Sequence, residues 1–101
     1  MGFFYSLIES IYACSLERLN GNIEKATRYC KKAKSIYTKK GNQYCLFHIS
    51  VEEMLLAFVN NKDFSGFERI EIKYSFEKRY IKKISKKLKE NNTVIHVLNF
   101  P

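Results

Sequence analysis

A chain of 101 residues has the length of one domain and can hold a core without disulfides or metal. A hydrophobic content of 46%, with fifteen Phe and Tyr residues, excludes a disordered chain in spite of a net charge of +8. One Pro, at the last position, and four Gly speak against a turn-dense all-β domain, so helix is the prior along nearly the whole chain.

From Phe4, the apolar residues Leu7, Ile8, Ile11, Tyr12, Leu16 and Leu19, with the small Ser15, recur at steps of three and four and predict an amphipathic helix. The opening residues also match an N-terminal acylation pattern at Gly2 and Ser6. The bulky Phe3, Phe4 and Tyr5 fit better as the start of a buried helix face. Asn20-Gly21 ends this helix. The next carries Ala26, Cys30, Ala33 and Tyr37 on one stripe, with Lys25, Arg28, Lys31, Lys32 and Lys34 around the rest, and stops at Lys39-Lys40-Gly41. The third, Asn42 to Asn60, has one apolar row of Tyr44, Phe47, Val51, Leu55 and Phe58 and part of another in Ile49, Leu56 and Val59. Apolar residues on two faces predict a central helix covered on both sides.

Beyond Phe64 two periods fit the same residues. Phe67, Ile70, Tyr74, Ile81, Ile84 and Leu88 form a heptad-like stripe that would make one long helix, broken at Glu77. Alternation of Ile70, Ile72, Tyr74 and Phe76 with Glu71, Lys73, Ser75 and Glu77 would instead make a strand. The β-branched run at 93–100 suits a strand and needs a neighbour to pair with, which favours a strand over Ile70 to Phe76 in a two-stranded ribbon, with a basic helix from about Glu77 to Glu90 between them. The expected fold is mainly α: one domain over 1–101, antiparallel helical hairpins over 3–62 and a basic C-terminal segment over 64–101, with the ribbon as an open alternative.

The stretch GNIEKATRYCKKAKSIY, Gly21 to Tyr37, resembles the second half of a tetratricopeptide repeat. Ala26 and Ala33 fall where that family keeps Ala, and Cys30 stands where it usually has an aromatic residue. In the preceding helix Cys14 can serve as the small residue, whereas Glu17 occupies an aromatic position. A second unit laid over Val51 to Phe67 is offset by 41 residues, from Gly21 to Lys62, against a family period of about 34. The resemblance implies a TPR-like scaffold that binds proteins or peptides. A helical hairpin domain unrelated to that family fits the same residues.

No nucleophile elbow, phosphate loop, HExxH or dinucleotide fingerprint occurs, and the two histidines, His48 and His96, lie in different segments. Glu52 and Glu53 near His48 read as solvated helix residues, so no enzyme and no cofactor is expected. Cys14, Cys30, Cys45 and His48 form a weak candidate zinc set, against the commoner reading of scattered cysteines as small buried hydrophobes. Three cysteines without CxxC spacing, no secretory signal and no apolar run long enough to span a bilayer lead to the expectation of a cytoplasmic protein.

The strongest signal is charge. Glu24 to Lys40 and Lys73 to Glu90 each carry net +6, leaving −4 for the remainder. In the second cluster Lys78, Lys82 and Lys86 form one row and Arg79, Lys83 and Lys87 the next, opposite Ile81, Ile84 and Leu88. Such rows suit an acidic protein partner or, as the rival, nucleic-acid phosphates read with little sequence preference, since only Arg18, Arg28, Arg69 and Arg79 could read guanine. A solvated helix exterior is the plain alternative. Tyr29, Tyr44 and Tyr80, beside basic residues, are the candidate contact aromatics. The function expected is a protein-binding adaptor, chaperone-like or regulatory subunit, with homodimerisation open.

Overall fold

Two Gly-Asn pairs, Gly21-Asn22 and Gly41-Asn42, fold the N-terminal helices back on one another. The computed structural model describes residues 2–61, 66, 69–70, 73–74 and 78–91, with residues 2–10, 61 and 91 as backbone alone. Four helices are defined among them: α1 (Gly2–Leu19), α2 (Ile23–Lys40), α3 (Gln43–Asn61) and α4 (Lys78–Asn91). The protein is mainly helical, and no strand occurs among the described residues.

Both turns use the same chemistry. Gly21 and Gly41 have φ of 83° and 66°, a left-handed conformation open to a residue without Cβ. This lets the Gly21 N–H reach Arg18 O (3.1 Å) and the Asn22 N–H reach Glu17 O (2.8 Å). Gly41 and Asn42 repeat the pattern on Thr38 O and Tyr37 O, both at 3.2 Å. The last carbonyls of each helix are thereby satisfied. Asn42 then starts α3 by accepting the Cys45 N–H on its Oδ1 at 3.0 Å, an N-cap.

The stripe expected on α2 is the one observed: Ala26, Cys30, Ala33 and Tyr37 are all buried. Three small side chains and one aromatic let α1 and α3 close on α2, and Ile11, Cys14, Cys45, Ile49 and Leu56 complete this cluster. The other face of α3 presents Phe47, Val51, Met54, Leu55 and Phe58 to a second cluster with Ile70, Tyr74, Ile81, Ile84 and Leu88. The helix carrying two apolar rows is thus the one buried on two sides.

Two expectations change. Ile70 and Lys73 are helical, and the Tyr74 N–H bonds Ile70 O at 2.8 Å. Ile70 and Tyr74, four residues apart, join the same cluster on this turn; a strand would also set them on one face, so it is the backbone bond from residue 74 to residue 70, and not their shared burial, that replaces the strand alternative over Ile70 to Phe76. The run at 93–100 lies outside the described residues. The second change concerns α1, whose inward face holds Ile11, Cys14, Ser15 and Arg18 while Tyr12, Leu16 and Leu19 face water. No helix among the described residues is long and apolar enough to cross a membrane.

Candidate interaction face

The reason for the setting of α1 is a carboxylate. Glu52, expected on the solvated surface of α3, is fully buried. Its Oε1 accepts the Nε–H of Arg18 at 2.9 Å, and its Oε2 accepts Nη2 of Arg18 at 3.3 Å and the hydroxyl of Ser15 at 2.5 Å. The thiol of Cys14 lies 3.8 Å from Oε1. A buried carboxylate must be paired and hydrogen-bonded, and the side chains that do so sit at positions 14, 15 and 18 of α1, one face of the helix. Drawing that face inward turns the leucines outward.

The exposed strip follows directly. Tyr12, Leu16 and Leu19 are 52%, 44% and 39% exposed and lie at steps of four and three, a ridge along two turns of α1. On its other flank α1 meets α2, where Lys25 pairs with Glu17 at 3.7 Å. On α3 the flank toward α2 is marked by Lys34, which pairs with Glu53 at 3.3 Å. Tyr44 and Val59, the remaining large exposed hydrophobics among the described residues, occupy the other flank of α3. All five therefore belong to α1 and α3, and none to α2 or α4.

The candidate aromatics and cations meet at the starts of α3 and α4. The Tyr44 ring stands 4.5 Å from His48, His48 5.4 Å from Tyr80, and Tyr80 5.6 Å from Phe47, all edge-on. This chain of rings links exposed Tyr44 to the helix that carries Lys78, Arg79, Lys82, Lys83, Lys86 and Lys87. Of those cations the first five are exposed and Lys87 is half-buried, while Ile81, Ile84 and Leu88 fill the core side. Tyr29 is not part of this group. It is half-buried on α2 against the first cluster.

The other candidate residues are placed elsewhere. Arg18, once a candidate for reading guanine, is held by Glu52. Cys14, Cys30 and Cys45 are free and buried, and His48 belongs to the ring chain. No group of three or more His, Cys, Asp or Glu among the described residues could hold a metal ion. The Cys14 thiol is pushed far above its ordinary pKa, first by its hydrogen bond with Cys30, then by burial and by the charge of Glu52. Burial also raises Cys45 and Tyr37. Such thiols stay protonated and are poor nucleophiles. Two open cavities share Glu53 and Ala57 of α3: one of about 280 Å³ bordered by Gly66, Arg69 and Ile70, and one of about 310 Å³ bordered by Ile23, Thr27, Cys30 and Lys31 of α2.

Sequence reasoning missed the Glu52 cluster because Glu52 and Glu53 are adjacent and look alike. A faint signal existed in Ser15 and Arg18, polar positions interrupting the apolar arc of α1 three residues apart. No protein-family model, curated protein or solved structure matches this chain.

Proposed function

We propose that this chain is a non-enzymatic protein-binding module, an adaptor, chaperone-like or regulatory subunit of the cytoplasm built on TPR-like helical hairpins. One observation carries the reading: α1 buries Arg18 on Glu52 and leaves Tyr12, Leu16 and Leu19 in water. Burying a leucine stabilises a fold by about 1.5–3 kcal/mol, whereas a buried ion pair is weak evidence for stability. An arrangement that forgoes the first and accepts the second conflicts with the local pattern, and such conflicts concentrate where a surface has a task. The buried Ala26, Cys30 and Ala33 support the TPR-like part of the reading, since they supply the close helix approach that repeat needs.

Nucleic acid is the rival, and the observation in its favour is the row of exposed cations on α4. Fluorescence anisotropy against generic duplex and single-stranded oligonucleotides, from low to physiological salt, separates the two. Submicromolar binding that persists near physiological salt, falls log-linearly and is abolished by reversing Lys82, Lys83, Lys86 and Lys87 to Glu would overturn the protein-binding reading. A photo-crosslinking residue at position 16 should yield discrete protein adducts in cells of the source organism. The same residue at Ser35, exposed on α2, should yield none.

A further inference from the structure

The exposed hydrophobics define a face with a direction. Glu17 and Glu53 mark the flanks of α1 and α3 that meet α2, so Tyr12, Leu16 and Leu19 from α1 and Tyr44 and Val59 from α3 lie on the side of the molecule away from α2. Tyr80 borders the same side through its contact with His48. Lys83 and Lys87, three and seven residues on, share the Tyr80 flank of α4. Of the acids on α1 and α3 whose side chains are described, none is exposed on that flank: Glu17 and Glu53 point to α2, and Glu52 is inside, while Glu9, described as backbone alone, falls three residues before Tyr12 on the same ridge.

We infer that this face takes an amphipathic acidic helix of a partner protein, its apolar ridge on the Tyr12, Leu16, Leu19 strip and its carboxylates toward Lys83 and Lys87. The inference rests on the protein-binding reading and names the partner class. The ligand is a helix because addition of a strand requires a free sheet edge, and the described residues contain none. A ridge at four- and three-residue steps is the surface that packs into the groove of another helix. The ligand is acidic because the face is bordered by cations and the whole chain carries +8, so attraction and association rate both favour carboxylates. A second copy would bring its own +8 to the same contact, which disfavours self-association here.

The test uses two synthetic amphipathic helices with the same Leu and Ala framework, one with Glu and one with Lys on its polar face, titrated against the full chain by fluorescence anisotropy. The Glu helix should bind at least about tenfold more tightly than the Lys helix. Leu16→Ser should weaken it by about tenfold, and Lys83→Glu, alone and with Lys87→Glu, should reverse the preference. Far-ultraviolet circular dichroism of each variant should match the parent. Equal binding of both helices, lost in Leu16→Ser, would sink the acidic partner and leave the protein-binding reading standing. Glu-helix binding indifferent to Leu16→Ser would place the contact elsewhere and refute the inference. If neither helix binds and light scattering shows a dimer that Leu16→Ser dissociates, the occupant is a second copy. If neither binds and the chain is monomeric, the inference and the role of the strip in protein binding fall together.

Discussion

α1 and α4 solve the same problem in opposite ways. α4 carries a sharp pattern, and the structure obeys it: Ile81, Ile84 and Leu88 are inside, and the lysines are exposed except for the half-buried Lys87. α1 carries a broad apolar arc, and the structure uses only part of it, turning Ser15 and Arg18 inward to serve Glu52. An unambiguous stripe leaves one rotational setting, whereas a broad arc leaves several. A single buried carboxylate is enough to choose among them.

The comparison breaks most severely at Arg18. Arg18→Ala would strand Glu52 as an unpaired buried charge, and unfolding in urea should show a loss of about 3–5 kcal/mol. Replacing both ends, Arg18→Met with Glu52→Leu, should recover most or all of that stability. If the single and double variants are equally unstable, the pairing does not set α1. On α4, Ile84→Ala should cost about 2–5 kcal/mol in the same measurement, a cavity effect with no electrostatic share.

A third difference should appear with pH. The folded-state pKa values of Cys14 and Cys45 are raised above the thiol value of 9.0, and that of Tyr37 above 10.0. The stability tied to these protonated groups is fully present below pH 9.0 and is lost as pH rises, because the unfolded chain releases protons that the folded one retains. Denaturation midpoints should decline from that pH upward, and less steeply in Cys14→Ala. An equal decline in that variant would remove Cys14 from the account. Smallest of all is the effect expected at the strip: Leu16→Ser should alter unfolding stability by no more than about 0.5 kcal/mol. Leu88→Ser, an identical substitution at a buried site on α4, should be several times more damaging.

Much of the fold was readable because it rests on local chemistry. Gly21 and Gly41 are where a left-handed turn needs them, the α2 stripe is where small residues allow close approach, and the two rows on α3 correspond to two packed clusters. The region of Ile70 to Phe76 was not readable, since periods of two and of 3.6 coincide over so few residues. Of the candidate contact residues, Tyr44 and Tyr80 come together through His48, a link that depends on how α4 lies on α3. Tyr29 shares their residue type and basic neighbours, and nothing in the sequence distinguishes it from them.

The sequence by itself determined the helices, the positions of both turns, the inner stripe of α2, the central place of α3 and the basic exterior of α4. These depend on residues within a few positions of one another. Only the tertiary structure decided that Glu52 is buried while Glu53 is not, that Arg18 faces inward, and that Leu16 and Leu19 therefore remain in water. Burial of a charge is settled by partners 34 and 37 residues away in the chain, and no local pattern reports them.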